Sequence, residues 1–133
     1  MDAAQALADL AEISSQIESA VLFEEDGSVS GVTGAGEDTA AALVHGALEL
    51  LEGAAAFRSD GGTVSQLEAS TRDGSVFVVR EGNRGIVATT GPQPTVGLVF
   101  YDLKSCLRGA EPDKPKRRRR PSARTEETAG DEA

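Results

Sequence analysis

Apolar and polar positions recur along this chain with two different periods, and each change of period marks a boundary. Between residues 3 and 19 the steps are three and four: Leu7, Leu10, Ser14, Ile17 and, just beyond, Val21. That spacing predicts an amphipathic helix ending near Ser19. Residues 21–25 and 28–32 flank Asp26-Gly27 and predict a β-hairpin. A glycine-rich GAGEDT follows, with an N-cap expected at Asp38 or Thr39, and a helical pattern then runs to about Phe57, where Asp60-Gly61-Gly62 stops it. Three short runs come next, residues 63–71, 76–80 and 84–90. Their joints, Asp73-Gly74 and Glu81-Gly82-Asn83, are turn chemistry with positive φ available, so a three-stranded meander is expected.

The last ordered segment, TVGLVFYDLKSCLRG, has strand-like propensity in VGLVFY, but its periodicity is helical. Val96, Val99, Phe100, Leu103, Cys106 and Leu107 share one face, and Pro94 before it with Gly109 and Pro112 after it are helix punctuation. The predicted order is α-β-β-α-β-β-β-α, an α/β (α+β) domain with one five-stranded antiparallel sheet and three helices. It spans residues 1–110.

Charge changes the picture at the C-terminus. Residues 1–110 carry six Lys and Arg against sixteen Asp and Glu, whereas residues 111–133 carry seven against six. Within the latter, KPKRRRRPSAR places Lys114, Lys116, Arg117, Arg118, Arg119 and Arg120 in seven positions. No apolar side chain larger than alanine occurs there apart from proline, so a disordered tail is expected. An acidic body repels phosphate backbones, which confines any affinity for nucleic acid or an anionic membrane to that tail, where it is weak and salt-sensitive. Ser122, two residues past the run, is a possible phosphorylation site that would cancel part of its charge. Acidic residues near the N-terminus and the lack of a long apolar stretch argue for a cytoplasmic protein without a signal peptide. The alanine-, arginine- and glycine-rich, lysine-poor usage points to a bacterial source.

Candidate chemistry is sparse. His45 is the sole histidine and has Glu49 one helical turn away, but nothing completes a metal site around the pair. Cys106 lies on an apolar stripe and is expected to be a buried, inert thiol. Gly34 and Gly36 precede a helix, yet Glu37-Asp38 would repel a phosphate there. Arg80 and Arg84 are expected to be surface charges whose loss costs no more than ~0.5 kcal/mol. No catalytic residue, cofactor, metal or small-molecule substrate is expected, and an enzyme is not.

The second helix offers more. Leu43, Val44, Ala47, Leu48, Leu50, Leu51, Ala54, Ala55 and Phe57 fill a broad apolar arc. The other side carries Ala42, Gly46, Glu49, Gly53 and Ala56, with His45 and Glu52 beside them. An interior glycine costs about 1 kcal/mol of helix stability relative to alanine, so two of them want a reason. Small residues at such steps admit a second helix closely, which makes this set a candidate dimer or partner interface.

SAVLFEEDGSVSG (residues 19–31) and PTVGLVFYDLKSCL (residues 94–107) resemble the first hairpin and the entry to the last helix of roadblock/LC7 domains, and the likeness extends over about residues 3–108. The resemblance implies the profilin-like roadblock/LC7 fold and a homodimer with sheets joined edge to edge and second helices antiparallel. It also implies that this surface contacts a small Ras-like GTPase, as in bacterial regulators such as gliding-motility protein B. The expected function is therefore a non-enzymatic dimeric regulator or scaffold of such a GTPase. The alternative is an adaptor that binds nucleic acid or anionic membrane through its basic tail.

Overall fold

Asp2 begins the first helix: its carboxylate accepts the Gln5 N–H at 2.9 Å, satisfying a donor that the first turn leaves without a partner. The computed structural model describes residues 2–57 and 64–110, so the basic run, Ser122 and the Asp60-Gly61-Gly62 stop lie outside the described residues. Helix α1 covers Ala3–Ile13 and buries Ala6, Leu7 and Leu10. It ends a turn and a half earlier than its periodicity predicts. Ser14 is extended, and Ile17–Glu24 is strand β1. Ile17 and Val21 fit helical and strand spacing alike, and pairing with β5 from Ile17↔Thr90 to Glu24↔Arg84 decides between them.

Strand β2 (Val29–Thr33) returns antiparallel to β1 through Asp26-Gly27, with Gly27 at φ 91°. Helix α2 spans Glu37–Ala55. Its N-cap is Gly36 rather than Asp38 or Thr39, so Glu37 and Asp38 occupy the first turn, where the helix dipole favours negative charge. Gly34, at φ 77°, turns the chain so tightly that a Cβ there would collide with the Glu18 carbonyl oxygen, a structural requirement for glycine in GAGEDT.

The meander follows as β3 (Gln66–Ser70), β4 (Ser75–Glu81) and β5 (Arg84–Thr90). In its first turn Gly74 is needed for room rather than for positive φ, because a Cβ would strike the Thr90 carbonyl. Helix α3 (Val96–Gly109) closes the domain. The five-stranded antiparallel sheet runs β2-β1-β5-β4-β3, leaving β2 and β3 as edges.

Alternation along the strands sorts side chains to two faces. Ala20, Leu22, Phe77, Val79, Ile86 and Ala88 meet α1 and α3, with Phe77 edge-on to Phe100 at 5.1 Å between ring centres. Val21, Phe23, Val78 and Val87 meet α2. Each fully buried large side chain contributes about 1.5–3 kcal/mol, so the two cores together outweigh any single polar contact.

Arg84 corrects an expectation. Its guanidinium donates to the carbonyls of Ala110 (2.7 Å) and Leu107 (2.9 Å), the C-terminal end of α3, so it ties that helix to the sheet. Arg80 likewise donates to the Val64 carbonyl at 3.0 Å. Neither is a plain surface charge.

Candidate functional site

Helix α2 packs mainly over β2, β1 and β5. Ala40, Val44, Ala47 and Leu51 form its buried stripe. The apolar arc read from the sequence is wider than the sheet can cover, and the excess faces outward. Leu50 is 38% exposed and Phe57, in a tightened turn just past the helix, is 90% exposed.

Positions 43 and 50 are seven residues apart, so Leu43 and Leu50 lie on one line along the helix, with Gly46, Gly53 and Ala42 beside it, and Phe57 follows in the turn past its end. Leu48 marks the other flank: a Cβ on Gly27, in the β1–β2 turn, would lie 3.6 Å from its Cδ1. The Leu43–Leu50 line is therefore on the flank turned away from that hairpin. On the same face of the sheet, Val64, Leu67 and Val76 of the β3–β4 end stay only partly buried, and β3 is an edge with one row of backbone groups unpaired by any other described strand.

The seven residues singled out on α2 fall into two groups. Ala42, His45, Glu49, Glu52, Gly53 and Ala56 are exposed or partly so and Gly46 is half-buried. Gly46, Gly53 and Ala42 adjoin the apolar line, whereas His45, Glu49 and Glu52 form a polar band, with His45 Nε2 3.5 Å from Glu49 Oε2. A Cβ added at Gly46 or Gly53 would meet nothing within 4 Å, so neither glycine serves packing among the described residues. What the sequence reading left out of its candidate set is Leu50 and Phe57, exposed apolar side chains beside it. The signal for Leu50 was its seven-residue spacing from Leu43.

Among the described residues no group of three His, Cys, Asp or Glu is placed to hold a metal ion, and no helix is long and apolar enough to cross a membrane. Cys106 is buried and donates to the Ala6 carbonyl at 3.5 Å, and burial pushes its thiol up to about 11. Of the tail residues Lys114, Lys116, Arg117, Arg118, Arg119, Arg120 and Ser122, none is among those described.

The comparisons with known proteins agree with this architecture. The Roadblock/LC7 domain model matches residues 4–90. No curated protein matches the chain. A Roadblock/LC7 domain from Streptomyces avermitilis superposes with a TM-score of 0.73 at 22% identity, covering 82% of this chain and 94% of that one. MglB in a tetrameric arrangement gives a TM-score of 0.70 at 13% identity, over 81% and 84% of the two chains. The gliding protein MglB of Thermus thermophilus gives 0.64 at 16% identity, over 81% and 84%. At these identities the likeness is one of fold.

Proposed function

Because the chain belongs to the Roadblock/LC7 domain family, we propose that it is a non-enzymatic, cytoplasmic regulator or scaffold of a small bacterial Ras-like GTPase and that it works as a homodimer. The observation that carries this reading is the uncovered flank of α2. Leu50 and Phe57 stand exposed beside Gly46 and Gly53, next to a half-buried β3–β4 surface and an unpaired strand edge. A second copy related by a twofold axis would set α2 against α2 and β3 against β3, covering apolar area and edge together. The small residues let the helix backbones approach closely, and His45, Glu49 and Glu52 remain on the polar side as a surface for a protein partner. The gliding-motility regulators that the sequence resembles support the choice of a Ras-like GTPase as that partner.

The test has two arms. Replacing Gly46 and Gly53 by Leu should leave the protomer folded, since a Cβ at either position meets no described atom within 4 Å, and it separates the helices; sedimentation equilibrium then shows a monomer. A double variant that dimerises with unchanged affinity removes α2 from the interface. In the second arm, the wild-type protein is titrated with a small bacterial Ras-like GTPase, loaded with GDP or with a non-hydrolysable GTP analogue. Binding to neither form overturns the GTPase assignment and leaves the dimer standing.

A further inference from the structure

Large and small side chains alternate on the uncovered flank of α2 in an order that constrains how a second α2 can lie on it. Leu43 and Leu50 form one row along the helix, and Thr39, Gly46 and Gly53, also seven residues apart, form the row beside it. Two adjacent rows that repeat every seven residues are the contact positions of a pair of packed helices. Here one row is large and the other is small. Leu50 is exposed, Leu43 and Gly46 are half-buried, and Gly53 is exposed. A Cβ at either glycine meets no described atom within 4 Å. The protomer therefore presents knobs at 43 and 50 and notches at 46 and 53, and no described residue fills the notches.

Helices approach most closely when a large side chain on one faces a small one on the other. Parallel helices about a twofold axis would set Leu43 on Leu43 and Gly46 on Gly46, which crowds one layer and empties the next. Antiparallel helices with the twofold axis level with residue 48 set Leu43 of one copy on Gly53 of the other, and Gly46 on Leu50. The symmetry repeats both pairs, so each leucine has a glycine and each glycine a leucine. Slipping the pairing by three residues sets Leu43 on Leu50, or Gly46 on Gly53. Slipping it by seven sets Leu43 on Gly46 with no leucine left for Gly53, or Leu50 on Gly53 with no glycine left for Leu43.

We propose that the dimer closes with its α2 helices antiparallel in this one register, Leu43 of each copy seated at Gly53 of the other and Leu50 at Gly46. The inference rests on the homodimer reading and adds which residues meet.

Two measurements test it, and both results are required. The first is cross-linking in a Cys106→Ala background, which removes the native thiol. Gly46→Cys protein is mixed with Leu50→Cys protein and oxidised, and the covalent products are told apart by mass. A disulfide needs Cα atoms within about 7 Å, and in this register like positions are offset by four residues of helix, about 6 Å along the axis. The 46–50 heterodimer should therefore form about tenfold faster than the 46–46 or 50–50 homodimer. The second is a swap, which introduces no thiol. Gly46→Leu fills the notch and weakens the dimer by about tenfold or more in sedimentation equilibrium. Adding Leu50→Ala to the same chain clears the facing side chain and returns the dissociation constant to within about threefold of wild type. A double variant that dimerises no more tightly than Gly46→Leu alone overturns the register, as does preferential 46–46 or 50–50 cross-linking. A wild-type protein that sediments as a monomer overturns the dimer and the register together, whereas a wild-type dimer that fails either measurement loses only the register.

Discussion

Replacing Arg84 by alanine should destabilise the domain far more than an exposed arginine would. The side chain is half-buried and its two terminal nitrogens hold the carbonyls of Leu107 and Ala110, residues that are themselves buried. A hydrogen bond from a charged donor contributes about 1.5–3 kcal/mol net when buried. Partial exposure places each of these two near or below the lower end of that range. A cation at a helix C-terminus adds about 0.3–1 kcal/mol through the dipole. Together they predict a loss of about 2–3 kcal/mol for Arg84→Ala. For a domain of this size, that lowers Tm by roughly 10–20 °C. Arg84→Lys keeps the charge but replaces a two-pronged donor with one ammonium, so about half the loss is expected. Urea denaturation followed by circular dichroism measures both. A shift in midpoint at constant m is the expected form, because the folded and unfolded states keep their areas. A loss under about 0.5 kcal/mol for Arg84→Ala, the value typical of a surface substitution, would refute the argument that this arginine anchors α3 to the sheet.

Two further predictions concern pH. Arg108 donates to both carboxylate oxygens of Glu81, with its Nη2 2.6 Å from Oε2, and holds the Glu81 carboxyl below its ordinary value of 4.5. The folded pKa is the depressed one, so the pair's contribution is present above 4.5 and is lost as pH falls through the folded value; the stability difference between the protein and Glu81→Gln should vanish in that window, and a difference that persists below it would exclude the pair as its source. The Cys106 thiol is raised instead, from 9.0 to about 11, so its contribution is complete below 9 and declines as pH rises towards 11. Because the thiolate is the reactive form, iodoacetamide should leave Cys106 unmodified in the folded protein at about pH 8 and modify it in urea; equal rates in both would show that the site opens readily.

Much of this protein was legible from local pattern. The order of eight elements, the meander and the last helix follow from periodicity and turn residues, which act within a few positions of each other. Helix α3 is an instance: VGLVFY is strand-like by propensity, yet the three- and four-residue steps from Val99 to Leu107 matched the buried stripe. The family resemblance rested on the same turn and core positions. Other features depended on residues far apart in sequence. Ile17 and Val21 fit either period until β5 supplied a pairing partner some seventy residues away. Arg84 reads as a rim charge until the end of α3 arrives beside it. Asp102 sits on the apolar stripe of α3, four residues before Cys106, but only the packing of α1 encloses it in a groove beside Asp9. On α2 the sequence determined that the helix is apolar over a wide arc with small residues next to it. Which part of that arc the sheet covers, and that Leu50 and Phe57 are left outside, was decided by where the helix lies on the strands, because burial depends on the surface a partner element presents and not on the residue buried.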